Sequence, residues 1–367
     1  MKKEKKFKWL NEESTQFLKR GYLDENQEPI DRVKEIADTF KNYIKDDELS
    51  NKFYKYMSKG WISLSSPIWA NYGNDKGLPI SCFGGTLQDN TSDILRGVGE
   101  VGMLSKIGGG TSLDFREIRS RGSDISKGGK SNGSVPFMRI YDTMMDVISQ
   151  GNYRRGAMAA YLPIDHGDIE EFLTIRNDDS TVQNLSIAVT IPEGWMQEMI
   201  EGDSQKRKIW AKVLKKRSDS GYPYIYFEDN VNNNKPQVYK DKGKLLKHSN
   251  LCSEIHEYTD DEKTFTCCLS SVNLKYYDEW KDTDLIEVVT TFLDTVLTEF
   301  IEKATEIPYL EKAVKFAKEH RSLGRGVLGW HSYLQDQMIA MEGFESKQIL
   351  HKILKNINEK SLKTSKK

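Results

Sequence analysis

Asn250, Cys252 and Glu254 occupy alternate positions of the run HSNLCSEIH. In an extended segment alternate side chains point to one side. A carboxamide, a thiol and a carboxylate would then converge on one point. A thiol beside a carboxylate suits nucleophilic or radical work, the carboxylate can move a proton, and the amide can hold a substrate hydroxyl. The alternative is a solvated loop with an incidental cysteine, since cysteine often packs as a small apolar residue. Three further cysteines, Cys82, Cys267 and Cys268, complete the set. Four in a chain of 367 residues are not a disulfide scaffold. The lack of a C-x-x-C pair argues against a zinc ribbon. His248 and His256 each stand four residues from Cys252, a spacing that would share one helical face. A metal centre needs more ligands than these, so none is expected.

Five other segments could carry chemistry. KIGGGTSLDF (106–115) places three glycines before a strand, which lets backbone amides approach a ligand. It has neither the G-x-G-x-x-G order of a dinucleotide site nor the G-K-[ST] of a P-loop, and a tight turn reads the same way. LPISCFGGTLQD (78–89) sets Ser81 and Cys82 beside glycines with Asp89 seven residues beyond the cysteine. A buried thiol on a strand is the plainer reading there. REIRSRGSDISKGG (116–129) and QGNYRRGAMAAYLP (150–163) are Arg- and Gly-rich loops. Guanidiniums on flexible backbone suit phosphate or nucleotide recognition, although such runs also make solvated faces. In TCCLSSVNL (266–274) the adjacent cysteines of a strand would point to opposite faces, so one of them can share a site with Cys252.

These residues need a scaffold. Val33, Ile36, Ala37, Phe40 and Ile44 recur at helical spacing behind Asp31, a candidate N-cap, which predicts a helical segment over 1–60. From Trp61 the texture changes to short alternating runs. Thr111, Leu113 and Phe115, then Ile187, Val189 and Ile191, read as strands, as does 225–229. Between them Phe137, Ile140, Tyr141, Met144, Met145 and Ile148 mark an amphipathic helix, and Asp168 precedes another. Residues 230–250 read as a long polar loop. Ile286, Val289, Phe292, Leu293, Val296 and Phe300 stripe a strong helix over 283–304. Strands alternating with helices predict an α/β fold. A final stripe, Ile349, Leu350, Ile353, Leu354 and Ile357, must be buried on this chain or on a partner. A net charge of −1 argues against a dedicated nucleic-acid binder, and no apolar run approaches the ~18 residues of a membrane span. The basic start MKKEKKFKW lacks the apolar core of a secretory signal, so a cytoplasmic location is expected.

Taken in order, SCFGG, GGG before a strand, IR-x-x-G-S, SQG with RRGA, NLCSEI, CCLSSVNL and RSLGRGVLGW resemble the catalytic (large, alpha) subunit of class I ribonucleotide reductase from about Trp61 onward. The resemblance implies a ten-stranded α/β barrel of two half-barrels. Residues 61–367 would hold the first half, the finger loop bearing Cys252 and the start of the second half. It implies that Cys252 is the thiyl-radical cysteine, Glu254 the base at the 3′-hydroxyl and Asn250 the amide that binds the ribose hydroxyls. Cys82 and Cys267 match the pair that delivers two electrons and becomes a disulfide. Ser66, Ser81 and Gly110 match substrate-contacting positions, and Asp89 and Arg119 match the effector site. The loop of Gln150 and Arg154 resembles the one linking effector to substrate base.

The implied partners are a radical-generating small (beta) subunit, a second catalytic unit in a dimer, a ribonucleotide, most simply a diphosphate, and a dNTP or ATP effector with Mg. Thioredoxin or glutaredoxin would be the reductant. No cofactor is expected to be bound covalently, and neither nucleic acid nor membrane is an expected partner. No segment resembles an ATP-cone, the Pro-Thr-Ala-Ser phosphate loop, the radical-relay tyrosine pair or the C-terminal cysteines of that family. The expectation is the N-terminal part of a split or truncated catalytic subunit completed by a C-terminal fragment. An adenosylcobalamin-dependent (class II) fragment would share Cys252 and its partner cysteines, and cobalamin dependence would separate the two. A glycyl-radical enzyme fits less well with NLCSEI. A non-catalytic nucleotide-binding relic would bind dNTP without turnover.

Overall fold

The computed structural model describes residues 7–150 and 154–367, and within them every side chain except those of 149, 150, 154 and 155. The strands, in chain order, are β1 (Ile62–Leu64), β2 (Cys82–Thr86), β3 (Gly110–Asp114), β4 (Ser149–Gln150), β5 (Arg154–Arg155), β6 (Ala157–Pro163), β7 (Ser186–Ile191), β8 (Tyr224–Phe227), β9 (Phe265–Asn273) and β10 (Leu323–Leu328). The chain divides into two compact units. One comprises Met1–Ile80, Cys268–Lys303 and Arg321–Lys367; the other comprises Ser81–Cys267 and Ala304–His320.

The first unit is a helical layer on a small sheet. The early chain holds helices Glu12–Lys19, Pro29–Ile44 and Asp47–Ser58. The second of them starts at Pro29, two residues before the expected cap. Proline is preorganised for the first helical position, and Asp31 falls in the first turn, where its charge suits the helix dipole. Phe40, Phe53 and Phe292 pack together, with Phe53 and Phe292 stacked at 4.2 Å between ring centroids. Phe292 belongs to helix Leu285–Ala304, whose predicted stripe is buried throughout. In this unit β9 pairs with β1 antiparallel (Ile62↔Val272) and with β10 in parallel (Leu323↔Cys268). The last helix, Phe344–Ser365, buries Ile353 and Ile357 of its stripe but leaves Leu354 exposed. Its Lys360 ammonium donates to the carbonyls of Lys281 (3.1 Å) and Thr283 (3.0 Å).

The second unit carries the parallel sheet, in the order β2-β3-β6-β7-β8, with the first residues of β9 antiparallel beside β2. Helices Thr91–Lys106 and Ser134–Val147 connect β2 to β3 and β3 towards β6. The first of these is capped by Asn90, which accepts from the Asp93 amide at 2.8 Å. Because strand side chains alternate, the sheet has two unlike faces. Leu113, Met158, Ala160, Leu162, Ile187, Val189 and Ile191 join the helices in the main core. Ala159, Tyr161, Ala188 and Tyr226 face the other way and pack with Leu251. Small residues on that second face leave room for a segment of chain to lie on the sheet. Among the described residues no helix is long and apolar enough to cross a membrane.

Candidate active site

The chain laid on this face is the segment 246–255, and the sheet holds it at several points. Tyr226 donates to the Leu246 carbonyl at 3.2 Å. Asn232 both accepts from the Leu246 amide (3.0 Å) and donates to its carbonyl (2.9 Å). Tyr161 donates to the Asn250 carbonyl at 2.8 Å, and its hydroxyl lies 3.0 Å from Ser253 Oγ.

The extended reading of HSNLCSEIH is not what forms here. The Ser253 amide donates to the Asn250 carbonyl at 3.2 Å, and Ser253 takes a left-handed φ of 64°. Cys252 therefore sits in a tight turn. Asn250 makes the turn possible, because its Oδ1 accepts from the amides of Glu254 and Ile255, both at 3.1 Å. A carboxamide that satisfies two backbone donors competes with strand pairing and favours a turn. Asn250 is buried, whereas Cys252 and Glu254 are exposed. Among the described residues Asn250 Nδ2 has no hydrogen-bond partner, an orphaned donor beneath the turn.

The helical face expected for His248 and His256 is absent for the same reason. His248 is fully buried, its ring 5.4 Å from that of Tyr161 and 5.5 Å from that of Phe265. Burial, aided by the positive charges of Arg116 and Lys247, pushes its pKa down to about 3. His256 is exposed.

Cys82 opens β2, directly opposite Cys267 of β9 in the antiparallel ladder. Residues facing each other in such a ladder have Cα atoms roughly 4.5–5.5 Å apart, within the reach of a disulfide. Cys268 points to the other face of the strand and belongs to the other unit. Burial, then the negative charge of Glu254, pushes the Cys82 thiol up to about 11, with the polar side chains of Asn250 and Ser81 opposing the shift. The Cys252 sulfur acts on the same thiol. Leu251 rests against Gly110, the β3 partner of Cys82, so the turn of Asn250, Cys252 and Glu254 lies beside Cys82.

Gly110 is opposite Cys82 on β3. A Cβ there would stand 2.9 Å from Leu251 Cδ2, so glycine lets the turn approach the sheet. The three glycine amides are used within the chain: Gly108 donates to Ser105, Gly109 to Leu104 and Gly110 to Ser81. That makes the triplet the turn that ends helix Thr91–Lys106. Ser66 lies in the other unit, at the start of helix Ser66–Asn71, where its hydroxyl accepts from Tyr22 at 3.4 Å.

Asp89 and Arg119 do meet. Arg119 donates through Nε to Asp89 Oδ2 (2.5 Å) and through its amide to Oδ1 (3.2 Å), while NH1 reaches the Asp124 carbonyl at 2.8 Å. Asp168 anchors the loop that carries Arg119, accepting from the amides of Arg121 and Ser134, both at 2.8 Å. Gln150 and Arg154 face each other across the β4–β5 ladder. Their side chains, and residues 151–153, lie outside the described residues.

Sequence reasoning passed over Tyr161, Tyr226 and Arg116. The alternation along β6 and β8 sets both tyrosines opposite the aliphatic positions, so the amino-acid pattern itself carried a signal for them.

Residues 80–206 and 201–367 match the family described as the ribonucleotide reductase barrel domain. The chain belongs to this family. The class Id ribonucleotide reductase alpha subunit of Actinobacillus ureae has the same fold, with a TM-score of 0.94 and 48% identity over 98% of this chain and 67% of its own. The ribonucleoside-diphosphate reductase large subunit of Invertebrate iridescent virus 3 is 32% identical over 94% of this chain and 65% of its own. A relative from Frog virus 3 is 34% identical over 87% of this chain and 59% of its own. The chain thus spans about three fifths of these viral relatives. Within the ribonucleotide reductase fold, β2, β3, β6, β7 and β8 form a parallel half-barrel, and the segment 246–255 lies on it.

Proposed function

We propose that this chain carries the reducing centre of a class I ribonucleotide reductase and converts ribonucleoside diphosphates to 2′-deoxyribonucleotides. The observation that carries the reading is the turn of Asn250, Cys252 and Glu254 lying on the sheet beside Cys82, with Cys267 opposite Cys82 on the neighbouring strand. In this reading a Cys252 thiyl radical takes the hydrogen from C3′ and Glu254 takes the proton of the 3′-hydroxyl. The 2′-hydroxyl leaves as water. Cys82 and Cys267 supply two electrons and become a disulfide, and the Cys252 thiol returns hydrogen to C3′, restoring the thiyl. The sum is one ribonucleotide and two thiols giving one deoxyribonucleotide, one disulfide and one water. The Asn250 Nδ2 donor can hold a ribose hydroxyl, since its Oδ1 is committed to the turn. Ser81 and Gly110 complete the substrate contacts in this reading.

The exposed cysteine receives its radical from a small subunit, and thioredoxin or glutaredoxin re-reduces the pair. Asp89 and Arg119 bind a deoxynucleoside triphosphate with Mg in a dimer of catalytic units, and the Gln150–Arg154 loop carries its identity to the substrate base. Arg119→Ala is expected to weaken dNTP binding about tenfold, as loss of a charge-assisted contact to phosphate or ribose does. Equilibrium binding of a labelled dNTP measures it, and unchanged affinity places the effector elsewhere.

The test of the reading is product formation from a ribonucleoside diphosphate. The assay supplies the remainder of the large subunit as a second polypeptide, together with a radical-generating small subunit and a dithiol. Deoxyribonucleotide that depends on the small subunit supports the class I reading. Product that depends on adenosylcobalamin instead moves the chain to class II. Binding of dNTP with no product under either condition favours a nucleotide-binding relic.

A further inference from the structure

We propose that Arg116 is a positioning residue for the Cys252 loop, a role that rests on the reductase reading of that loop. Its guanidinium sits at the ends of three strands and gathers groups that are far apart in the chain. Nε donates to Asp114 Oδ2 at 2.5 Å, at the end of β3. NH2 reaches Glu228 Oε1 at 3.0 Å, just after β8, and lies 3.5 Å from Thr190 Oγ1 near the end of β7. The same NH2 donates to the Lys247 carbonyl at 2.7 Å. Lys247 lies five residues before Cys252, where the loop leaves the strand ends and starts across the sheet.

Two features make this more than charge neutralisation. Asp114 is fully buried and needs a cation, and one short contact would satisfy it. Arg116 spends its remaining donors on a backbone carbonyl of the loop and on the neck of β8 instead. A planar fork with several donors can hold a carboxylate and a carbonyl at fixed separation, whereas a lysine ammonium on a flexible stem cannot reproduce that geometry. Second, the next anchors downstream, Tyr161 to Asn250 and Asn250 Oδ1 to Glu254 and Ile255, all lie beyond Lys247. Arg116 therefore fixes the entry of the loop together with Tyr226 and Asn232, which hold the preceding Leu246, and the turn that aims Cys252 is built from that entry point.

Arg116→Lys keeps the charge beside Asp114 and removes the fork. In the double variant Asp114→Asn with Arg116→Gln, both of these charges go together, so Asp114 is not left as an unpaired buried carboxylate if the lysine variant fails to fold. Amide hydrogen exchange of the full chain is expected to be about tenfold faster at Leu246, Ser253, Glu254 and Ile255, with the rest of the parallel sheet unchanged. In the reconstituted reaction kcat is expected to fall about 10- to 100-fold, the scale of a misplaced reacting group, with KM and dNTP affinity unchanged. If Arg116 only neutralises Asp114, both variants exchange and turn over like the parent, and the proposal is overturned. Faster loop exchange with unaltered kcat overturns it as well. Faster loop exchange in a chain whose parent shows no turnover leaves the anchor standing and removes the reductase reading instead.

Discussion

Cys252→Ser is expected to lower deoxyribonucleotide formation by at least about a thousandfold, the scale seen when a reacting side chain is deleted from an enzyme. Serine fits the same turn. The side chain is exposed, and Asn250 Oδ1 and Tyr161 hold the turn. An exposed, near-isosteric change of this kind shifts stability by roughly 0.5 kcal/mol or less. Asp89 and Arg119, the proposed effector residues, bond to each other, and Arg119 bonds to the Asp124 carbonyl, so dNTP binding is expected to survive. What is lost is chemical. A sulfur can carry the unpaired electron and exchange hydrogen with carbon, and a serine hydroxyl cannot take that part at neutral pH. Product analysis beside a thermal melt and a dNTP titration checks all three expectations. Residual turnover near the parent rate would take Cys252 out of its assigned role.

The second large effect concerns the thiol pair. Cys82→Ser and Cys267→Ser are each expected to reduce multiple turnover by at least about a thousandfold, because either change removes half of the two-electron donor. Cys268→Ala is expected to keep activity, since Cys268 points to the opposite face of β9. Mild oxidation followed by peptide mapping should link Cys82 to Cys267. The raised pKa of Cys82 gives this oxidation a pH signature. Only the thiolate attacks, and its fraction grows about tenfold per pH unit below the pKa. Disulfide formation initiated by Cys82 should therefore accelerate from pH 7 towards about 11, where the thiol is pushed by burial and by Glu254. The same shift has a stability consequence of defined sign. Taking the ordinary value of 9.0 for the unfolded chain, the unfolded form ionises first, so the contribution of the buried thiol is full below pH 9 and is lost as pH rises to about 11. A link between Cys267 and any residue other than Cys82 would contradict the assignment.

Periodic elements were the legible part of the sequence. The stripe from Ile286 to Phe300 is buried as its spacing requires, because a helix of that length with one apolar face has one way to bury it. The polar run 230–250 was misleading. It holds helices Glu228–Asn234 and Gln237–Asp241, which bury almost nothing and so leave no apolar period to read. The basic helix Ser204–Ser220 is similar, with Val213 its one buried position. The Cys252 segment was legible in composition but not in shape. Residue types suggest a chemistry, while the turn depends on Asn250 accepting two amides, which strand alternation cannot express. Arg116 was invisible because its partners Thr190, Glu228 and Lys247 are 74, 112 and 131 residues away in the chain. The face that receives the loop was written in small residues, Gly110, Ala159 and Ala188, whose significance appears once the strands are in register.

The most direct test of the central claim is the rate of deoxyribonucleotide formation from a ribonucleoside diphosphate deuterated at C3′, measured in single turnover with the complete large subunit and its radical-generating partner. If Cys252 takes hydrogen from C3′, the deuterated substrate reacts more slowly than the protiated one, and Cys252→Ser forms no product from either. Equal rates together with product from the serine variant would contradict the account.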